Sequence, residues 1–171
     1  MILIKKIPGE GWICNSYIIH NGNDAIIIDP GSEYSVIQEH LSGLNLKAIL
    51  CTHGHYDHIV NVSKLQKDYG IPFYIHKDDS KLVKHANLYI KLFNSDQIIK
   101  IPKIDYLLED NNNLNLNFVE ISVIHTPGHT EGSVCFLILD NLFTGDLLLK
   151  NKIGRTDFPG GDLKKVKASI R

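Results

Sequence analysis

Ala48-Ile49-Leu50-Cys51-Thr52-His53-Gly54-His55-Tyr56-Asp57-His58 opens as an apolar strand and stops on three imidazoles and a carboxylate within six residues. Gathered beside a core, each of these polar groups needs its own hydrogen-bond partner or it opposes folding. A transition-metal ion satisfies them together, because neutral imidazole and carboxylate are its ordinary ligands. The competing reading, a run of surface histidines, fits poorly with a buried strand before and a helix after. His53 and His55 leave the strand end two residues apart, with Gly54 expected to supply backbone angles closed to other residues. Asp57 and His58 fall at the start of the next helix and face a second point nearby. The order His-x-His-x-Asp-His therefore suits two adjacent ions better than one closed structural site.

Upstream, β-rich runs at 2–7, 13–20 and 25–28 are separated by Pro8-Gly9 and Asn21-Gly22-Asn23-Asp24, as in a hairpin or meander. Asp29-Pro30-Gly31 breaks the chain, and Ser32 or Ser35 is expected to cap a helix carrying Val36, Ile37 and Leu41. Downstream, Ile59, Val62, Leu65, Gln66 and Tyr69 predict one amphipathic helix ending at Gly70. A strand at 71–75, a polar helical stretch at 78–85, strands at 118–124, 134–139 and 142–144, and a last helix starting near Asp162 complete the outline. Residues 86–112 carry little pattern. The layout is mixed α and β with no fixed-period repeat.

Two further clusters end strand-like runs. In Val123-Ile124-His125-Thr126-Pro127-Gly128-His129-Thr130, the Pro-Gly turn presents His129 at its tip, while His125 stays on the strand and reads as a packed histidine. In Thr144-Gly145-Asp146 a carboxylate stands at a strand end, where it could bridge two ions. Alone, Asp146 would read as a turn residue.

Taken in order, His53-Gly54-His55-Tyr56-Asp57-His58, His125-Thr126-Pro127-Gly128-His129-Thr130 and Thr144-Gly145-Asp146 resemble successive motifs of the metallo-β-lactamase superfamily. Asp29, after Ile26-Ile27-Ile28, resembles its first motif, a carboxylate that braces the histidine loop. The resemblance spans 1–171 as one domain and implies an α+β fold, a four-layer αββα sandwich with metals at one edge. It implies His53, His55 and His129 on a first ion, Asp57 and His58 on a second, and Asp146 bridging. The superfamily pattern ordinarily closes with another histidine, and none follows Asp146 here, so the expectation is a domain lacking its C-terminal elements. Gly154-Arg155-Thr156-Asp157-Phe158-Pro159-Gly160-Gly161 resembles the glyoxalase II-like hydrolases and, nearly as well, the persulfide dioxygenases. Arg155 falls where the former hold a substrate carboxylate; an Arg155–Asp157 structural pair is the equal alternative.

The resemblance implies a metal-dependent hydrolase of a thioester or similar small acyl substrate, acting through hydroxide on one or two Zn2+ ions, with Asp57 orienting the hydroxide. Iron or manganese could use the same ligands. The alternatives are a mononuclear iron persulfide dioxygenase and a non-catalytic metal-binding remnant. The partner that the resemblance implies is a small-molecule substrate. The formal net charge is −1 and the lysines are scattered, so no basic stripe addresses nucleic acid. No apolar stretch approaches the ~20 residues of a membrane span. Cys14, Cys51 and Cys135 are too few for a disulfide framework and read as small buried hydrophobes in a cytoplasmic protein. The sequence leaves the oligomeric state open.

Overall fold

The computed structural model describes residues 1–9, 14–92 and 97–171. Strands β1 (Leu3–Ile7), β2 (Ser16–His20) and β3 (Asp24–Ile28) form the expected antiparallel meander. Strands β4 (Asn45–Leu50), β5 (Phe73–His76) and β6 (Tyr106–Leu108) then add in parallel, giving a six-stranded sheet in sequence order. A second sheet, order β10-β9-β8-β7, is antiparallel and built from β7 (Asn113–Asn115), β8 (Glu120–His125), β9 (Val134–Ile138) and β10 (Asn141–Phe143). A short hairpin, β11 (Leu148–Leu149) with β12 (Lys152–Ile153), stands apart from both.

The unbroken apolar run in β3 is explained by what lies on each side. Ala25 and Ile27 point into one core, while Ile26 and Ile28 point into another. A strand covered on both faces has no polar side to show. The first core joins the large sheet to helices α1 (Tyr34–Leu41), α2 (Tyr56–Ile59), α3 (Val62–Tyr69), α4 (Ser80–Lys84) and α5 (Ala86–Leu92), through Ile37, Ile59, Leu65, Val83 and Ile90. The second lies between the sheets, where Ile28, Ala48 and Leu50 meet Ile121, Val123 and Phe136. Helix α6 (Leu163–Ser169) covers the outer face of the small sheet, packing Val166 on Cys135 and Leu147. The layers thus run helix, sheet, sheet, helix, as the α+β sandwich expectation required.

Some local expectations need correction. Residues 56–69 form two helices, because buried Asn61 at the break donates its side-chain amide to the Pro30 and Ser32 carbonyls, at 3.0 and 2.8 Å. Ser32 caps nothing: its hydroxyl is turned inward to Ile7 O and accepts from Ser16 N, while Glu33 occupies the cap position of α1. Asp162 does cap α6, accepting from Lys164 N and Lys165 N. Ile13, the start of the second predicted strand, lies outside the described residues. No helix among the described residues is long and apolar enough to cross a membrane.

Candidate metal centre

Every motif side chain emerges beyond the C-terminal end of a strand, Asp29 after β3, His53 after β4, His129 after β8 and Asp146 after β10. The loops come from both sheets and meet at one edge of the sandwich. His53, His55 and His129 bring ring nitrogens within 4.8 Å of one another, and so do His53, His58 and Asp146 with their donor atoms. The rings of His53, His55 and His129 meet edge to face at 80–88°, with centroids 4.7 Å apart in each pair. Asp57 closes the group, its Oδ2 lying 3.6 Å from His58 Nε2, and Asp146 Oδ1 lies 3.5 Å from the same nitrogen.

Hydrogen bonds fix which nitrogen of the His129 and His53 rings is free. His129 Nδ1 lies 2.7 Å from the Arg155 carbonyl, which can only accept, so the proton sits on Nδ1 and Nε2 turns a lone pair inward. That Nε2 is 3.0 Å from His55 Nδ1. Thr52 donates its hydroxyl to Asp29 Oδ2 at 2.8 Å, so its oxygen accepts from His53 Nδ1 at 3.2 Å and leaves His53 Nε2 bare. Asp29 Oδ2 also stands 3.1 Å from His58 Nδ1, at ion-pair distance but off the line of a good hydrogen bond. Asp29 Oδ1 accepts from Thr52 N at 2.7 Å. One buried carboxylate, held at a left-handed φ of 50° that few side chains tolerate, therefore orients two histidines.

The protonation states of His53, His55 and Asp146 suit ligation. Burial, reinforced by His129 and His58, lowers His55 to about 3, and burial together with the neighbouring histidines drives His53 lower than its ordinary value. Both are neutral at pH 7. Burial alone would raise Asp146, but His58, His129 and His55 override it and hold it at about 2, so it is ionised. Burial raises Asp57, with His58 opposing. Burial likewise works against a charged His58, yet the carboxylates of Asp29 and Asp57 raise it well above the usual range.

His53 Nε2 and both His58 nitrogens are buried and lack a hydrogen-bond partner among the described residues. Such orphans are costly in a native interior. A metal ion is the partner that fits neutral imidazoles and an ionised carboxylate at these spacings. A third cluster, His76, Asp78 and His125, also brings donors within 4.8 Å. There the two rings lie stacked at 14°, so their in-plane lone pairs run side by side instead of converging on an ion. His125 also bonds the Glu131 carbonyl through Nε2, which agrees with its reading as a packed residue.

Arg155 is placed at the rim of the cavity, and its guanidinium makes a two-point pair with Asp157 at 2.9 and 2.6 Å while lying 4.2 Å over the Phe158 ring. The structural-pair alternative is thus present in the free chain. Cys51 is buried in the helix-side core with its thiol 3.5 Å from the His58 carbonyl, away from the ligand cluster. Gly54 does not adopt left-handed angles. It is needed for space, since a Cβ there would sit 3.1–3.3 Å from Val83, Asp79 O and Leu82. A cavity of about 990 Å³ opens over the centre, walled in part by Tyr17, Tyr89, Leu142, Leu149 and Phe158.

Sequence reasoning missed Asp79. Its buried carboxylate accepts from Gly54 N at 2.7 Å, Thr130 Oγ1 at 2.8 Å and Gly132 N at 2.7 Å. The available signal was an acidic pair, Asp78-Asp79, at the end of a strand that shares the edge with β4.

A model of the metallo-beta-lactamase superfamily matches residues 9–171. A protein of Haemophilus influenzae named hydroxyacylglutathione hydrolase GloC is 34% identical over 179 residues, covering 98% of this chain and 82% of that one. Among solved structures, BLEG-1, described as a B3 metallo-beta-lactamase, superposes with a TM-score of 0.87 at 35% identity, covering 98% of this chain and 83% of that one. TTHA1623 in a di-iron-bound form gives 0.84 at 32% identity, covering 97% and 83%.

Proposed function

Because the chain belongs to the metallo-beta-lactamase superfamily, we propose that it is a metal-dependent hydrolase that cleaves a thioester or similar small acyl compound. The observation that carries this reading is the set of buried, partnerless ring nitrogens on His53 and His58, facing Asp146 and the His55–His129 pair. His53, His55 and His129 would hold one ion, and Asp57 and His58 the other, with Asp146 shared. When bound, a zinc ion lowers the pKa of its water to about 7 and polarises a carbonyl oxygen. Zinc suits the nitrogen-rich set, and iron is supported by the di-iron form of TTHA1623.

The chain's own groups divide the remaining work. Thr52, oriented by Asp29, keeps the His53 proton on Nδ1 and leaves Nε2 bare. Asp57, its carboxyl raised by burial, sits where it can accept and hold a proton at Oδ2 near the reacting centre. The apolar walls of the cavity exclude water from the acyl group, and Arg155 would release Asp157 to meet a substrate carboxylate. A thiolate leaving group needs little protonation, which matches a site with no separate acid among the named residues. Relatedness to GloC supports a glutathione thioester as the first substrate to try. The three cysteines are free, in keeping with a reducing cytoplasm.

The test is thiol release from an S-acylglutathione by Zn2+- and Fe2+-loaded chain, with a β-lactam and a persulfide run in parallel and oxygen uptake recorded. Thiol release that disappears in His53→Asn and Asp146→Asn is the expected result. Oxygen consumption on the persulfide without thiol release would assign the chain to the dioxygenases, and β-lactam opening alone would assign it to the activity in BLEG-1's description. A metal-loaded chain inert to all three substrates would leave only a metal-binding remnant.

A further inference from the structure

Asp79 has no part in the ligand set, yet it touches both loops that carry the trio. Its Oδ2 takes the amide of Gly54, the residue between His53 and His55, and the hydroxyl of Thr130, the residue after His129. Its Oδ1 takes the amide of Gly132 in that same second loop. The fit is close: a Cβ at Gly132 would lie 2.5 Å from Asp79 N and 2.8 Å from its Cβ and Cγ. Thr130 is held from the far side as well, by Ser133 Oγ at 2.7 Å. The two loops are otherwise carried by different sheets, β4 in one and β8 in the other. The separation between His55 and His129 is therefore set in part by a carboxylate on a third segment, Lys77–Asp79, after β5, beside the direct bond from Val134 N to Thr52 O at 2.8 Å.

His58 is held differently. It starts from α2, and its Nδ1 faces Asp29. None of the three hydrogen bonds to Asp79 reaches α2 or the loop of Asp146. We infer that Asp79 is a positioning residue for one half of the centre, setting the affinity of the His53–His55–His129 ion while leaving the His58–Asp146 ion to other anchors. This rests on the dinuclear reading above and adds that the two halves can be loosened separately.

Replacement by Asn is informative because it is nearly isosteric. If the amide oxygen keeps Gly54 N and Thr130 Oγ1, the amide nitrogen confronts the Gly132 N–H, two donors face to face; the flipped amide confronts Gly54 N–H instead. Either way one loop must shift. Loss of a partner that orients metal ligands typically weakens binding about 10–100-fold.

The experiment is a Zn2+ titration of the whole chain against a chromophoric chelator, with Co2+ absorption spectra to tell the halves apart. His55→Asn and His58→Asn provide the reference lesion in each half. Asp79→Asn and Thr130→Val should each weaken one equivalent about 10–100-fold, change the Co2+ spectrum as His55→Asn does, and leave the other equivalent unchanged. Thr130→Ser, which keeps the hydroxyl, should restore binding, and the Thr130 pair decides the matter if Asp79→Asn fails to fold. Wild-type affinity for both ions in folded Asp79→Asn overturns the inference, and so does equal weakening of both, the signature of general loosening. Wild-type chain that binds no ion sinks the dinuclear reading itself, and this proposal with it.

Discussion

Asp29→Asn should damage the centre through proton placement and the loss of one buried charge. Asparagine tolerates the left-handed φ of 50° better than most residues, so the backbone stays in place. Its amide orientation is forced: the oxygen must keep Thr52 N, because the amide nitrogen there would oppose a fixed donor. The nitrogen then replaces Oδ2, donates to Thr52 Oγ1 and takes away the negative charge that faces His58 Nδ1. Thr52 must turn its proton toward His53 Nδ1, and His53 moves its own proton to Nε2. In the proposed centre that is the nitrogen needed as a ligand. In the metal-free chain the loss of one buried charge-assisted interaction corresponds to about 1.5–3 kcal/mol. At about 2–4 °C per kcal/mol for a chain of this size, the melting midpoint should fall by about 3–12 °C. Both ions should bind about 10–100-fold more weakly, in contrast to the one-sided effect expected of Asp79→Asn. Asp29→Ala should be worse still, because alanine at this φ adds about 1–2 kcal/mol. Differential scanning calorimetry, chelator competition and 15N NMR of the imidazoles read the three quantities. An Asp29→Asn protein with His53 still protonated at Nδ1 and both affinities intact would refute the reasoning.

The depressed histidines predict an acid-labile metal-free chain. His53 and His55 are neutral when folded but titrate near 6.5 when unfolded, so the unfolded state binds more protons as pH falls below 6.5. Urea midpoints of metal-free protein should therefore drop from pH 6.5 toward about 3, each histidine adding at most about 1.4 kcal/mol per pH unit. His58, raised when folded, contributes fully below 6.5 and cannot offset this slope; a midpoint constant over that range would contradict the assignment. Arg155→Ala should leave stability within about 0.5 kcal/mol, since its pair with Asp157 is exposed. Steady-state kinetics should show a raised KM for a carboxylate-bearing thioester and an unchanged KM for a neutral one; equal values for both would leave Arg155 as the structural partner of Asp157.

The layers and the convergence of the histidine motifs were legible because their signals are local. Ile26-Ile27-Ile28 and Ala48-Ile49-Leu50 announce strands covered on both faces, and each histidine motif ends such a run within a few residues. What escaped depends on partners distant in the chain. Asn61 looks like an ordinary helix residue until Pro30 and Ser32 supply carbonyls that compete with the helix. Asp79 meets Gly54, Thr130 and Gly132 across 25, 51 and 53 residues, and no pattern in a window of helical length encodes that meeting. Gly54 was read for its backbone freedom, when its value is the room it leaves for Asp79, Leu82 and Val83. The short pair β11–β12 gave no alternation long enough to read.

His55 and His129 stand 74 residues apart yet touch across the seam between the two sheets. A nascent chain whose second sheet has not docked offers His53, His55 and His58 without His129 or Asp146, an incomplete chelate with weak hold on any cation. Uptake of the full complement of metal would then act as a late inspection step, retained only by molecules whose halves have closed correctly, and an ion so captured would clip the seam shut against reopening.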